Sequence, residues 1–346
     1  MTRTLPRLLA VLAAVLVTVP IAPAGALAEP TLTWAVQPAD GNGPDGRRWI
    51  ERTLDPGQVV TEHLAVRNFS DAAATFALKA ADGYLTGKGR FNMLPSHQKS
   101  TDGGTWIAVQ ETVTVGARQT KVVPFTITVP RDATPGDHPA GIAATVTSTG
   151  GTVAVESRVG FRVMLRASGT ITASLAVGDL TATYRPSWNP FSAGTVDVGY
   201  TATNDGNAAV TGRGRVTVPG LFGLGDRIVP ADIEETLPSG NRRIEARVTG
   251  VWTFGPLRTA VDVTPAVLGG DQAGAEIRPA SATVTVWAVP WSQLALVVVL
   301  FALVVVARTV TRRRRQRLAR LLDRAREEGR AQAREATLAG SPPSAP

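Results

Sequence analysis

The chain of 346 residues contains no cysteine, only three histidines and only three tyrosines. Without cysteine there is no disulfide framework and no thiolate metal site, and no lipid can be attached to a cysteine behind a leader. His63, His97 and His138 lie 34 and 41 residues apart, with no paired ligand spacing, so neither a zinc site nor a Ser-His-Asp arrangement is framed. Glu234-Glu235 has no partner that would make it an acid/base pair. GLFGLGDR lacks the strand before it and the helix after it that a phosphate-cradling loop requires. These absences predict a protein that is not an enzyme and uses no metal or cofactor.

The net charge of +8 is confined to the ends of the chain. From Arg308 to Pro346 there are eleven arginines against four acids, and the first 28 residues add Arg3 and Arg7, so the middle region is close to neutral. A neutral middle offers no duplex-binding surface, and nucleic acid is excluded as a partner.

Residues 1–28 have a basic start, an apolar run from Leu8 to Val19 and Ala26-Leu27-Ala28, the pattern of a cleaved signal peptide. A second apolar run, Trp287 to Ala307, is long enough as a helix to cross about 30 Å of hydrocarbon. Trp287 and Trp291 fall where an outer aromatic belt would lie. Arg308, Arg312, Arg313, Arg314 and Arg315 flank the other end, which predicts a single-pass protein with its C-terminus in the cytoplasm. Residues 308–346 then form a basic cytoplasmic tail, helical at first and Pro/Ser-rich at its tip, held against anionic lipid.

Between the two apolar runs, hydrophobic residues recur at every second position, with turn signals every ten or so residues. This is a strand period, and no stretch there has convincing helical periodicity. In TVAVESRVGFRVMLR, Val153, Val155, Val159, Phe161, Val163 and Leu165 share one face. Glu156, Arg158, Arg162 and Arg166 share the other, which predicts a strand wet on one side. In VVPFTITVP, Val123, Phe125, Ile127 and Val129 point inward.

LDPGQVVTEHLAVRNFSDAAATFAL reads as a turn at Asp55-Pro56-Gly57, a strand with Val60, Leu64 and Val66 inward, a turn at Asn68 to Asp71, and a hairpin return through Phe76, Leu78 and Ala80. Asn68-Phe69-Ser70 matches a glycosylation acceptor, but its place between two alternating runs predicts an Asn that closes a turn. About 135 residues later the pattern recurs. Val196, Val198 and Tyr200 lead to Asn204-Asp205-Gly206-Asn207, and Ala208-Ala209-Val210-Thr211 parallels Ala72-Ala73-Ala74-Thr75. The repeat predicts an all-β chain of two tandem immunoglobulin-like β-sandwich domains, residues 29–168 and 169–286, followed by the transmembrane helix at 287–307.

One long polar segment, Tyr84 to Trp106, has aromatics at its ends. Tyr84, Trp106 and Trp49 could stack on sugar faces while Lys88, Arg90 and His97 meet carboxylates. The other reading has Trp49 and Trp106 in the core and the loop merely solvated.

Asp55-Pro56-Gly57-Gln58, Val66-Arg67-Asn68, Val129-Pro130 followed by Pro135-Gly136, and Gly141-Ile142 carry a family likeness. Over Leu32 to Arg166 the chain resembles the peptidoglycan-binding domain of the WxL-interacting protein family of Gram-positive bacteria. That resemblance implies a cell-surface protein that engages peptidoglycan or another wall polymer through its first domain, with an exported WxL-type surface protein as a further partner. The alternative, from another class, is an accessory subunit that docks an exported protein by strand addition at a sandwich edge.

Overall fold

Val123, Phe125, Ile127 and Val129 are all buried, as their alternation requires, and the strand that carries three of them crosses the middle of a β-sheet. The computed structural model describes residues 32–148, 155–220, 225–252, 254–269 and 274–339. The leader expected at residues 1–28 and the Pro/Ser-rich tip lie outside them.

The first part of the chain is built from ten strands. They are β1 (Trp34–Ala39), β2 (Ile50–Leu54), β3 (Val59–Asn68), β4 (Ala74–Leu85), β5 (Phe91–Met93), β6 (Ile107–Val109), β7 (Thr112–Val115), β8 (Thr120–Thr128), β9 (Gly136–Ser148) and β10 (Val155–Ala167). One sheet runs β1-β3-β8-β6. The other runs β2-β10-β9-β4-β5, with β7 also on β4, and its β2–β10 pairing is parallel. Leu64, Val66, Phe125 and Ile127 of the first sheet meet Ile50, Phe76, Ile142 and Val163 of the second in one core.

The second part repeats the plan with nine more strands. They are β11 (Thr172–Arg185), β12 (Gly194–Asn204), β13 (Val210–Val218), β14 (Arg227–Pro230), β15 (Ile233–Thr236), β16 (Asn241–Val251), β17 (Gly255–Val267), β18 (Glu276–Arg278) and β19 (Ala280–Ala288). Sheets β16-β12-β11-β18 and β14-β13-β17-β19, with β15 on β13, enclose a second core around Tyr200, Val248 and Leu257.

The expected hairpin is an arch instead. β3 and β4 lie in different sheets, so the Asn68–Asp71 turn carries the chain across the sandwich. Alternation specifies a strand and its inward face but not the strand it bonds to, and a four-residue corner serves either connection. Asn68 holds this corner from inside. It is fully buried, its Nδ2 donates to the Ala72, Val115 and Gly116 carbonyls, and its Oδ1 accepts from Ser70 N. Asn204 does the same at the corner between β12 and β13, donating to the Ala208 and Thr236 carbonyls and accepting from Gly206 N. Both asparagines close turns, so the repeat read in the sequence is a repeated inter-sheet corner.

A helix, α1 (Trp291–Ala339), follows β19 after Val289 and Pro290. It is the one helix among the described residues that is long and apolar enough to cross a membrane. The expected span began four residues earlier, but Trp287 belongs to β19 and the helix opens only after Pro290. Proline lacks the N–H that β19 would need to continue but fits the start of a helix, so it sets the changeover there.

Candidate functional site

The edge strand β2 is held from two sides. Along one side it pairs with β10, and Ser168 N donates to the Leu54 carbonyl at 3.0 Å. The backbone groups of Leu54, and by alternation those of Arg52 and Ile50, therefore face β10, while the N–H and C=O of Glu51 and Thr53 face outward. The second hold crosses the sandwich. Arg52 Nε and Arg47 donate to the carboxylate of Glu62 on β3 at 2.6 and 3.0 Å. Glu62 faces inward and is buried, a placement a carboxylate tolerates only with such partners.

Beside β2 lies a cleft of about 260 Å³ between the two sheet pairs, lined by Glu51, Arg52, Asp137, Arg162, Met164 and Arg166, and by Leu268 and Gly269 from the second pair. Arg166 donates two bonds to Asp137, at 2.5 and 2.8 Å, and two to the Leu268 and Gly269 carbonyls at 3.1 and 3.2 Å. Asp137 also accepts from Ala209 N at 2.6 Å. Arg162 grips both carboxylate oxygens of Glu235, and its Nε is buried with no hydrogen-bond partner. Asn207 latches the seam by donating to the Pro135 and Thr170 carbonyls, and its own carbonyl accepts from Asp137 N. Gly136 makes this approach possible, since a Cβ there would lie 2.1 Å from the Asn207 carbonyl oxygen.

The expectation that β10 is wet on its outer face holds at Glu156, which is exposed, and is corrected toward the strand's end. Met164 and Arg166 are buried, because the second sheet pair covers that face. An arginine in a strand reads as solvated until its acid is known, and Asp137 sits on another strand. Only Met164, an apolar residue between Arg162 and Arg166, signalled the covered face in the sequence.

The residues proposed for glycan contact do not form one platform. Trp106 closes a 3₁₀ turn (Gly103–Trp106), is buried, and packs on His138 with ring centroids 4.2 Å apart, which removes it as a sugar-stacking residue. The reason lies in Asp82, whose carboxylate accepts from the Thr101, Asp102 and Gly104 amides and folds the segment back onto β4. Tyr84, Lys88, Arg90 and His97 are exposed along that segment. Trp49 is exposed too, with Nε1 donating to Glu51 at 2.7 Å, in a shallow pocket with Arg47, Arg48 and Arg52. Trp49 adjoins β2 while Tyr84 lies on β4. Two strands intervene, so they stand about 14 Å apart across the sheet.

His138 Nδ1 contacts Asp102 at 2.5 Å and Nε2 contacts the Thr134 carbonyl at 2.9 Å. Burial works to discharge this ring, but the Asp102 carboxylate and the Thr134 carbonyl outweigh it and raise the pKa above the ordinary histidine value. The pair fastens the 3₁₀ turn to β9. Among the described residues no group of three His, Cys, Asp or Glu side chains could hold a metal ion. At the far end of the molecule Trp287 and Trp291 are exposed, and Arg308 and Arg312 to Arg315 lie on exposed helix past the apolar run.

No family model matches the chain, and no curated protein matches it. Among solved structures it is similar to the class 5 fimbriae chaperone CfaA, at 12% identity over 75% of this chain and 100% of that one, with a TM-score of 0.35. It is also similar to the E. coli chaperone DraB, at 10% identity over 73% and 98% with a TM-score of 0.31. A Salmonella enterica SafA pilin complex with the SafB chaperone gives 8% identity over 73% and 97%, with a TM-score of 0.31. Scores this low carry no inference about what the chain binds.

Proposed function

We propose that the chain is a membrane-anchored surface protein, not an enzyme, whose two tandem immunoglobulin-like sandwiches hold an exported or wall-associated protein by strand addition at β2. The observation that carries this reading is the outward-facing backbone of Glu51 and Thr53 on a strand paired on one side only, beside a cleft. An extended segment can bond to that edge and lay alternate side chains into the cleft. β2 is pinned to β3 through Glu62, so it need not reorganise to receive the segment. An exported WxL-type protein is one partner of this kind. In this reading α1 is the single-pass anchor, with a cleaved leader before the first sandwich and the arginine-rich end in the cytoplasm. The anchor raises the local concentration of the edge at the wall, so modest contacts suffice.

A second reading keeps peptidoglycan as ligand and is favoured by Trp49, an exposed indole flanked by arginines and Glu51. The two readings separate by substitution in the full chain held in lipid nanodiscs. Thr53→Pro removes an outward N–H and spares the β10 pairing, so it should weaken retention of an exported partner about tenfold. Trp49→Ala should leave that retention intact. If Trp49→Ala alone abolishes co-sedimentation with purified wall, the glycan reading stands. Wild-type behaviour of both variants in both assays rejects both.

A further inference from the structure

The end of the second sheet pair nearest α1 carries an unusual density of bare aromatics. Trp188 is 99% exposed, Phe191 78%, Phe254 68% and Trp252 45%. The sheet registers bring them to one end. Gly194 at the start of β12 lies opposite Val251 at the end of β16, and Gly255 at the start of β17 lies opposite Ala288 at the end of β19. The 186–193 loop, Trp252, Phe254 and the entry to α1 therefore lie at one end. Trp287 and Trp291 stand at that same end.

Two hydrogen bonds set the height of the loop. Ser292 Oγ donates to the Ser187 carbonyl at 2.6 Å, and Gln293 Nε2 donates to the Ser192 carbonyl at 3.4 Å. These are the polar side chains of the first helical turn, and the loop satisfies them where hydrocarbon could not. The loop is also bonded within itself. Asn189 N donates to Ser187 Oγ, Phe191 N to Asn189 Oδ1 and Ser192 N to the Asn189 carbonyl, so three of its six backbone N–H groups are satisfied within the loop. Residues 186–193 and 252–254 contain no charged side chain. Charges flank this end: Arg227 donates to the Gly250 carbonyl at 3.2 Å, and Arg185 and Arg247 share Asp197.

We infer that this end of the second sheet pair is a membrane-seating collar. Trp188, Phe191, Trp252 and Phe254 enter the headgroup region of the outer leaflet around the emerging helix, and Arg185 and Arg247 face the lipid phosphates. Tryptophan and phenylalanine on uncharged loops suit that interface, and an exposed apolar patch this dense marks an interaction surface. Only Val289 and Pro290 separate β19 from α1, so the collar lies within reach of the bilayer surface. The consequence is orientation. The sandwiches stand on the membrane at a fixed attitude instead of swinging from a tether.

This inference rests on α1 crossing the bilayer, and the test reads the two separately. The absence of cysteine allows single-cysteine variants of the full chain, Phe191→Cys, Phe254→Cys, Val304→Cys and Lys88→Cys, each carrying a polarity-sensitive fluorophore. The probe is vesicles of phosphatidylcholine and phosphatidylglycerol with nitroxide-bearing lipid. A seated collar gives blue-shifted emission and quenching by that lipid at 191 and 254, as at 304 in mid-helix, with neither at 88. Quenching at 304 alone overturns the collar and leaves the anchor standing. No quenching at 304 overturns both. A blue shift at 191 and 254 without lipid quenching assigns the patch to a protein and also overturns the collar.

Discussion

Arg166 closes a two-bond fork onto Asp137 at the seam between the two sheet pairs, with both side chains buried and their remaining side-chain hydrogen bonds made to the second pair. The pair sits at the floor of the cleft that borders β2. It thus joins the stiffness of the paired sheets to the shape of the candidate docking place.

Arg166→Ala strands the Asp137 carboxylate in a buried seam and should cost about 3 kcal/mol of stability. Denaturant titration of the full chain in detergent checks this, and the variant should show two separated transitions where the parent shows one. Replacing both residues with apolar ones of similar volume should cost less than Arg166→Ala alone.

The two buried corner asparagines make a matched pair of tests. Asn68→Ala and Asn204→Ala each leave at least two inward carbonyls and one amide unsatisfied, which amounts to about 2 kcal/mol apiece. Measured singly and together, the losses should add, because the two corners belong to separate cores. Glycosylation at Asn68 should be absent in any host, since its amide nitrogen is committed inside the fold.

His138 predicts a pH dependence with a definite sign. Its folded pKa is raised, so the Asp102–His138 pair contributes fully below the unfolded histidine value near 6.5 and loses its contribution as pH rises through the folded value. Hydrogen exchange of the Gly103–Trp106 turn should therefore slow in mild acid relative to mild alkali, after correction for the intrinsic rate. His138→Gln should flatten the profile.

Trp106 and Trp49 should separate stability from binding. Trp106→Ala opens a cavity beside His138 and should destabilise by about 3 kcal/mol. Trp49→Ala should change the thermal midpoint less, because Trp49 is half-exposed and outside the core.

Much of this fold was legible. Alternation located the inward faces of β3 and β8, and the 135-residue echo located both asparagine corners. What could not be read was pairing between strands far apart in sequence. The β3–β4 corner reads as a hairpin in the sequence because a turn of that length does not state which sheet follows it. Apart from Met164, nothing in the sequence marks the covered face of β10, because Arg166 finds its acid on β9, 29 residues away, and its carbonyls a hundred residues on. The polar segment from Tyr84 to Trp106 looked open because its organiser, Asp82, precedes it and acts on backbone amides, which no residue pattern records. For the candidate site, Trp49 was legible as an exposed aromatic or a core one, and the structure chooses the former. The free edge of β2 was not legible, since edge status depends on the parallel partner.

The most direct test of the account places a photo-crosslinking residue at Glu51 in the full chain, in the native cell, with Lys121 as an exposed control on β8. The account predicts one adduct at 51, mapping to a single extended segment of an exported protein, lost when Thr53→Pro is added and absent at 121. Equal labelling at 51 and 121, or an adduct at 51 that survives Thr53→Pro, would contradict it.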